Sequence, residues 1–433
     1  LGACLADDMG LGKTLQVISF ISTIYKAEKD YLIICPVSIL YNWKNEFEKF
    51  SNLEVSIYHG PDRTEQNHKN IVLTSYGILK REYQTEFFQK DFEVIAMDEV
   101  QNLKNVRSIG SMAIRHLKSH FKICLTGTPV ENEISEFFNI LDLCVPGLWG
   151  DLVSARRNKH FRNKAIVRKS AKPFILRRTK DQVLHDLPDK IEHNQILDFN
   201  GNEKKFYHQL LVTIQNEIKA TPKSNRFGII LRGILRLRQS CLWQPNETTS
   251  YDAVEDSFST KIKFLCSQIE QILEEGHQAL IFSQFTSYLD IIQNIFDKRS
   301  WKYSRIDGKY SVSQREKEID KFQNGDNKLF LISLKAGGVG LNLTAASYVF
   351  IMDPWWNPAV ENQAVDRAHR IGQKNKVTVY RPIIKESVEE KILLLQNDKK
   401  QLFEDLLGQG EGDFFSGKLS KEDFEFILDT TID

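Results

Sequence analysis

The sequence predicts an α/β fold of two lobes, each a parallel sheet with helices on its faces. Three observations carry this. Continuous apolar runs of strand length recur in two series along the 433 residues, helical periodicities separate them, and polar residues gather just beyond their ends. Strands without polar alternation are covered on both faces, and strands that alternate with helices assemble into parallel sheets. With 41% apolar residues the chain can fill two or three cores rather than one.

The first series has a short apolar run before Ala6, then Leu32 to Val37, Ile71 to Tyr76, Val94 to Glu99 and Lys122 to Gly127. The second has Ala279 to Phe285, Lys328 to Ser333, Tyr348 to Asp353 and Val377 to Ile383. Between them, from about Val130 to Ser257, stretches such as EFFNILDLC and KKFYHQLLVTIQNEI have helical periodicity and predict helical insertions at the lobe junction. The expected organisation is a first lobe over 1–188 with an insertion near 130–180, a helical linker over 189–258, and a second lobe over 259–433. The polar stretch Pro245 to Ser259 predicts a surface loop. ESVEEKILLLQNDKKQLFEDLL, after Ile384, predicts an amphipathic helix, and Ser420 with Asp423 suits the start of a last short one.

Charge and cysteine usage exclude several classes. Fifty-eight basic and 57 acidic side chains leave a net +1, so no global field announces nucleic acid. The distribution is uneven, with eleven Lys or Arg and no acid between Arg156 and Lys180. Six scattered cysteines, without a C-x-x-C pair or histidine cluster, predict buried thiols and no structural zinc. No apolar run approaches the roughly 18 residues of a membrane span and no signal-peptide profile opens the chain, which predicts an intracellular protein with no membrane partner.

Two motifs carry chemistry. ADDMGLGKT, Ala6 to Thr14, lies between an apolar run and the helix-like LQVISFISTIY, the strand-loop-helix setting of a phosphate cradle. Its departure from the phosphate-loop pattern is Asp7, where that pattern has glycine. Asp8, Met9, Gly10, Leu11 and Gly12 would wrap the phosphates, with Lys13 on the β- and γ-phosphates. In MDEVQ, Met97 to Gln101, Asp98 and Glu99 emerge at a strand's carboxyl end, where one carboxylate can hold Mg²⁺ and the other orient water. Together the motifs predict a nucleoside triphosphatase. In the second lobe Asn357 and Pro358 suit a helix start and Gly372 its stop. Gln363, Arg367 and Arg370, spaced i, i+4 and i+7, are expected on one face of that helix, where an arginine could reach the γ-phosphoryl group across a cleft between lobes.

ADDMGLGKT, ICPVSILYNWKNEF, MDEVQNLKN, LTGTP, ALIFSQF, SLKAGGVGLNLTAASYVFIMDPWWNP and QAVDRAHRIGQ resemble, in order and spacing, the motifs of superfamily-two helicase-like ATPases, and more narrowly the SWI/SNF class of double-stranded DNA translocases. PFILRRTKDQVLHDLPDK and LRLRQSCLWQP are similar to that class's linking segments. The resemblance implies two RecA-like lobes with Snf-type helical insertions, ATP and Mg²⁺ as cofactors, and double-stranded DNA, or a DNA-bound protein complex, as partner. Thr14 and Asp98 would hold the metal, Glu99 would be the water-orienting base, and Gln363, Arg367 and Arg370 would complete the site, with Arg370 the arginine finger. Gly338 and Gly340 would also line the nucleotide, and Thr126, Gly127 and Thr128 would relay its state to the DNA track. Ser38, Trp43, Ser75, Tyr76, Gln284, Lys335 and Ala336 match the class's DNA-contacting positions, and Trp43 suits a core position equally.

The chain starts six residues ahead of Asp7, which implies a fragment without the upstream segment that reads adenine in the class. Leu242-Trp243-Gln244-Pro245 stands where the class commonly has Cys-His-Pro. The enzymatic alternative is a strand-separating DNA or RNA helicase; the non-enzymatic one is a hydrolysis-deficient nucleic-acid-binding module. DNA access places the protein with the nucleoid in a prokaryotic cytoplasm, favoured by the compact insertions, or in a eukaryotic nucleus.

Overall fold

The computed structural model describes residues 1–60, 63, 69–103, 107–127, 134–148, 169–178, 180–183, 187–222, 226–243, 259–337, 341–355, 358–396 and 421–428. The chain passes from one compact unit to a second between His185 and Asp186. Each unit is built on one parallel sheet.

Among the described residues the first sheet has seven strands in the order β3-β4-β2-β5-β6-β1-β7. They are β1 (Gly2–Leu5), β2 (Asp30–Cys35), β3 (Val55–Tyr58), β4 (Ile71–Ser75), β5 (Asp91–Met97), β6 (Lys118–Leu125) and β7 (Ile175–Leu176). Every pairing is parallel, so all carboxyl ends lie along one edge. Leu32, Ile34, Val72, Ile95 and Met97 share one buried cluster with Ala113 and Ile114 of the helix Ile109–His116 and with Leu141 of the helix Ile134–Cys144. At Gly2 an added Cβ would lie 2.1 Å from the Cys144 carbonyl oxygen, so only glycine lets β1 pack this closely.

Among the described residues the second sheet has six strands in the order β10-β11-β9-β12-β13-β8. They are β8 (Lys190–Leu197), β9 (Ala279–Ser283), β10 (Tyr303–Ile306), β11 (Leu329–Ser333), β12 (Tyr348–Ile351) and β13 (Val377–Ile384). Successive strand residues face opposite sides. Ala279, Ile281, Leu329, Leu331 and Phe350 enter one core, while Leu280, Phe282, Phe330, Ile332, Val349 and Ile351 enter the other. The unbroken apolar runs of these central strands follow from that two-sided burial.

The helices Gly201–Ala220 and Arg226–Ser240 share a further core through Tyr207, Ile214, Ile218, Ile230, Ile234 and Leu237. They approach closely at Gly233, where a Cβ would meet Ile214 Cγ2 at 2.5 Å. Asn200 and Glu203 form a capping box at the start of the first helix.

Several expectations require correction. Residues 190–197, placed by pattern in a helical linker, form the edge strand β8, paired along its length with β13. One side of this strand is open and nearly all of it is exposed, so it carries no apolar signature. The helix Pro358–Val365 ends before Arg367 and Arg370, so Gln363 and the two arginines do not share a helical face. The loop expected at Pro245 to Ser259 falls at 244–258 outside the described residues, and so does most of the basic stretch; Ser259 instead caps the helix Thr260–Glu274 by accepting from Ile262 N. After Ile384 a helix covers 388–396, and the last described helix is Lys421–Leu428. All six cysteines are buried and none is in a disulfide, and no helix among the described residues is long and apolar enough to cross a membrane.

Candidate functional site

β1, β5 and β6 are neighbours in the first sheet, so the segments leaving their carboxyl ends converge. From β1 comes the loop Ala6 to Gly12, which turns through two left-handed glycines, Gly10 at φ 89° and Gly12 at φ 71°. Gly12 caps the helix Lys13–Ile24, whose free amides and positive dipole end face the loop. Lys13 Nζ donates to the carbonyls of Asp7 at 2.7 Å and Asp8 at 3.1 Å, which fixes the ammonium at the loop. A Cβ on Gly127, just after β6, would stand 3.8 Å from that Nζ. The cradle joins two left-handed glycines to a helix N-terminus and an ammonium, and it suits a phosphate chain.

From β5 comes the acidic turn. Asp98 is buried, and its carboxylate accepts from Glu99 N at 2.8 Å and from Trp43 Nε1 at 2.9 Å. Burial first, and then the charge of Glu99, push its pKa up from 3.8 to about 7, against the pull of the Trp43 hydrogen bond and Lys13. Glu99 holds a left-handed backbone at φ 50° and ψ 48°, a conformation that costs a non-glycine residue about 1–2 kcal/mol. Its carboxylate accepts from Gln101 Nε2, and Gln101 Oε1 accepts from Thr126 Oγ1 at 2.8 Å. The end of β6 is thus wired to the acidic turn through one glutamine. Thr126 and Gly127, expected to couple nucleotide state to a track, lie in this convergence; Thr128 lies outside the described residues.

The residues expected to touch DNA in this unit divide differently. Trp43 is only 1% exposed and spends its indole N–H on Asp98. Tyr76 is buried and donates to the Asp98 carbonyl at 2.7 Å. Ser75 is buried and caps the helix Tyr76–Glu82, accepting from Ile78 N at 3.3 Å. Trp43 takes the core alternative, and Ser75 and Tyr76 are corrected from DNA contacts to supports of the acidic turn and its neighbouring helix. The side chain of Ser38 lies outside the described residues.

In the second unit Arg367 is buried, its carbonyl accepting from Leu343 N at 3.0 Å. Arg370 is half-buried, with Nη1 donating to Leu341 O at 3.4 Å, and Gln363 is half-buried on its helix. Gln284 N donates to both oxygens of the buried Asp353 at 3.2 Å, while its Nε2 is a buried donor with no hydrogen-bond partner among the described residues. Ala336 is buried, and Gly338, Gly340 and the Lys335 side chain lie outside the described residues.

Arg238, which motif reading passes over, organises the loop after β12. It is wholly buried, donates to Pro354 O at 2.6 Å, stands 3.8 Å from Asp353 and lies over the Trp355 ring at 4.8 Å. Its place in LRLRQSCLWQP marked a segment but not a contact.

The model of the SNF2-related domain matches residues 1–245, and that of the helicase conserved C-terminal domain matches residues 260–372. The chain is 35% identical over 435 residues to an uncharacterized ATP-dependent helicase of Mycoplasma pneumoniae, covering 97% of this chain and 42% of that protein. It is 34% identical over 458 residues to the putative ATP-dependent helicase/translocase YwqA of Bacillus subtilis, covering 99% and 49%. The chain therefore spans less than half the length of these curated relatives. A solved structure of a Sulfolobus solfataricus SWI2/SNF2 ATPase core in complex with dsDNA is 34% identical, covers 99% of this chain and 93% of that one, and superposes with a TM-score of 0.47.

Proposed function

The chain belongs to the SNF2 family, and from that premise we propose that it is the ATP-hydrolysing core of a motor that moves along double-stranded DNA. The observation that supports this most is the convergence, at the carboxyl ends of β1, β5 and β6, of the glycine-turned loop with Lys13, the Asp98-Glu99 turn, and Thr126 joined to that turn through Gln101. The donors and the two left-handed glycines fit a triphosphate, and a carboxylate at a strand end beside the first helical turn fits a magnesium ion, which commonly takes only one or two protein carboxylates. Thr14 and Asp98 would hold that ion, which when bound neutralises charge on the phosphate oxygens.

Lys13 and the loop amides bind and orient the β- and γ-phosphates. Glu99 orients the attacking water and accepts its proton as the terminal phosphoryl group departs from ADP. Gln101 holds the Glu99 carboxylate in place and passes its position to Thr126. Arg370, with Arg367 as its alternative, is proposed to stabilise the charge on the departing phosphoryl group. Movement along duplex DNA is supported by the motif set and by the helicase/translocase name of the Bacillus relative. Grip on the phosphate backbone would be salt-sensitive and nearly indifferent to sequence. The bacterial relatives favour work on DNA in a prokaryotic cytoplasm.

The test is the steady-state ATPase rate without nucleic acid and with single-stranded DNA, duplex DNA or duplex RNA. Stimulation by duplex DNA is expected. Preference for single strands or RNA would move the reading to a strand-separating helicase, and indifference to every nucleic acid would refute it. Lys13→Ala should lose nucleotide binding, Glu99→Gln should bind ATP without turnover, and Arg370→Ala should bind ATP but not hydrolyse it. Full activity in Arg370→Ala would assign that role to Arg367.

A further inference from the structure

The phosphate loop is held from behind by a segment distant in sequence. β7 pairs with Cys4 and Leu5 of β1. Beyond it, Ala6 N donates to Leu176 O at 2.8 Å, Asp8 N to Arg178 O at 3.0 Å, and Lys180 N to Asp8 Oδ2 at 3.1 Å. At the centre stands Asp7, wholly buried at the position where a phosphate loop has glycine. Its carboxylate accepts from Arg178 N at 2.9 Å, from Arg178 Nε at 3.1 Å, from Arg178 Nη2 and from Gln16 Nε2 at 3.3 Å. Arg178 Nη2 also donates to Gln16 Oε1 at 2.6 Å, which ties the clamp to the first turn of the helix Lys13–Ile24.

A carboxylate removed from water survives as an anion only when paired and hydrogen-bonded. Arg178 supplies both conditions, with the fork geometry that a carboxylate matches. The successive carbonyls of Asp7 and Asp8 are the two that receive Lys13 Nζ. Whatever fixes Asp7 therefore fixes the seat of the lysine.

We propose that Arg178 is a positioning residue for nucleotide binding, acting through Asp7 to hold the backbone of residues 7 and 8 and, with it, the Lys13 ammonium. The inference rests on reading this loop as the nucleotide site. It adds to that site a residue from a segment that contains none of the phosphate-binding groups. Arg178 also shortly precedes, in sequence, the boundary of the first unit at His185.

The test is titration of a fluorescent ATP analogue, with magnesium, into the full chain and its Arg178→Ala, Arg178→Lys, Asp7→Asn and Asp7→Asn/Arg178→Ala variants, with thermal melts alongside. Arg178→Ala should weaken binding about tenfold or more, the scale of a lost charge-assisted contact. Arg178→Lys should recover only part of this, because lysine brings the charge without the fork. The double variant should bind no more weakly than Arg178→Ala, since both changes break one contact. The effect should fall on KM for ATP rather than on kcat. Wild-type affinity in folded Arg178→Ala, or losses that add in the double variant, would overturn the proposal. Should Arg178→Ala fail to fold, Arg178→Lys decides: weaker binding at an unchanged melting temperature supports the role, and unchanged affinity overturns it. A wild-type chain that binds no nucleotide would instead refute the nucleotide-site reading itself.

Discussion

The indole Nε1 of Trp43 donates to Oδ2 of Asp98 at 2.9 Å, with both side chains buried. A tryptophan on a helix after β2 thereby controls one oxygen of the carboxylate at the end of β5. Trp43→Phe keeps the bulk and removes the donor. An unmatched buried oxygen costs about 1–3 kcal/mol, so the melting temperature should fall. The Asp98 proton should also be held more tightly, moving the pH midpoint of ATP turnover upward. A pH–rate profile with an unmoved midpoint would discard this account.

Asp98 itself predicts a pH dependence. A magnesium ion needs the ionised carboxylate, and burial with the neighbouring charge of Glu99 raises the pKa to about 7. Below that pH the proton competes, and magnesium affinity should fall by a factor approaching about ten per pH unit. For folding the sign is opposite to that of an ion-paired aspartate. The folded-state pKa exceeds the ordinary 3.8, so this group's stabilising contribution is full below about 3.8 and is lost as pH rises through about 7. Calorimetric magnesium titrations at three pH values spanning neutrality measure the first effect, and melts over the acidic range measure the second.

The relay from Thr126 through Gln101 to Glu99 predicts a separation of binding from turnover. Thr126→Val keeps the shape and removes the hydroxyl. Nucleotide affinity should stay near wild type while kcat falls about tenfold, the effect of roughly 1.4 kcal/mol on the barrier. A fall in affinity with kcat preserved would show that Thr126 serves the phosphates rather than the acidic turn.

Lys261 Nζ donates to Glu389 Oε1 at 2.7 Å and to Met352 O at 2.6 Å, and neither side chain of the pair is exposed. Lys261→Met should cost about 3–5 kcal/mol, because it strands a buried carboxylate. Lys261→Met/Glu389→Gln should regain much of that loss. Denaturant unfolding of both variants measures it, and equal stability of the two would show that the single variant leaves Glu389 adequately solvated.

What was legible in the sequence was local or two-sided. Gly10, Gly12, Lys13, Asp98 and Glu99 declare themselves within nine-residue and five-residue windows, and the central strands declare themselves because both faces are buried. β8 was hidden because its exposed edge position demands no apolar pattern, and β3 and β10 are four residues each. The expected helical face of Gln363, Arg367 and Arg370 failed because spacing cannot report where a helix stops, and this one stops at Val365. Trp43 stays open between core and DNA contact in the sequence because nothing in its own segment names Asp98, 55 positions away. Arg178 and Asp7 are 171 positions apart, a separation across which only the folded sheet makes an argument.

The strand order of the first sheet also sets a timetable for biosynthesis. β1 leaves the ribosome ahead of both strands that flank it, and must wait for β6 on one side and for β7 with Arg178 on the other. At about 5–20 residues per second the 171 positions from Asp7 to Arg178 amount to roughly 10–35 seconds during which the Asp7 carboxylate lacks its partner. The phosphate loop is consequently translated well before it can be completed, and a nascent chain gains a finished nucleotide cradle only when the clamp from residues 175–180 arrives.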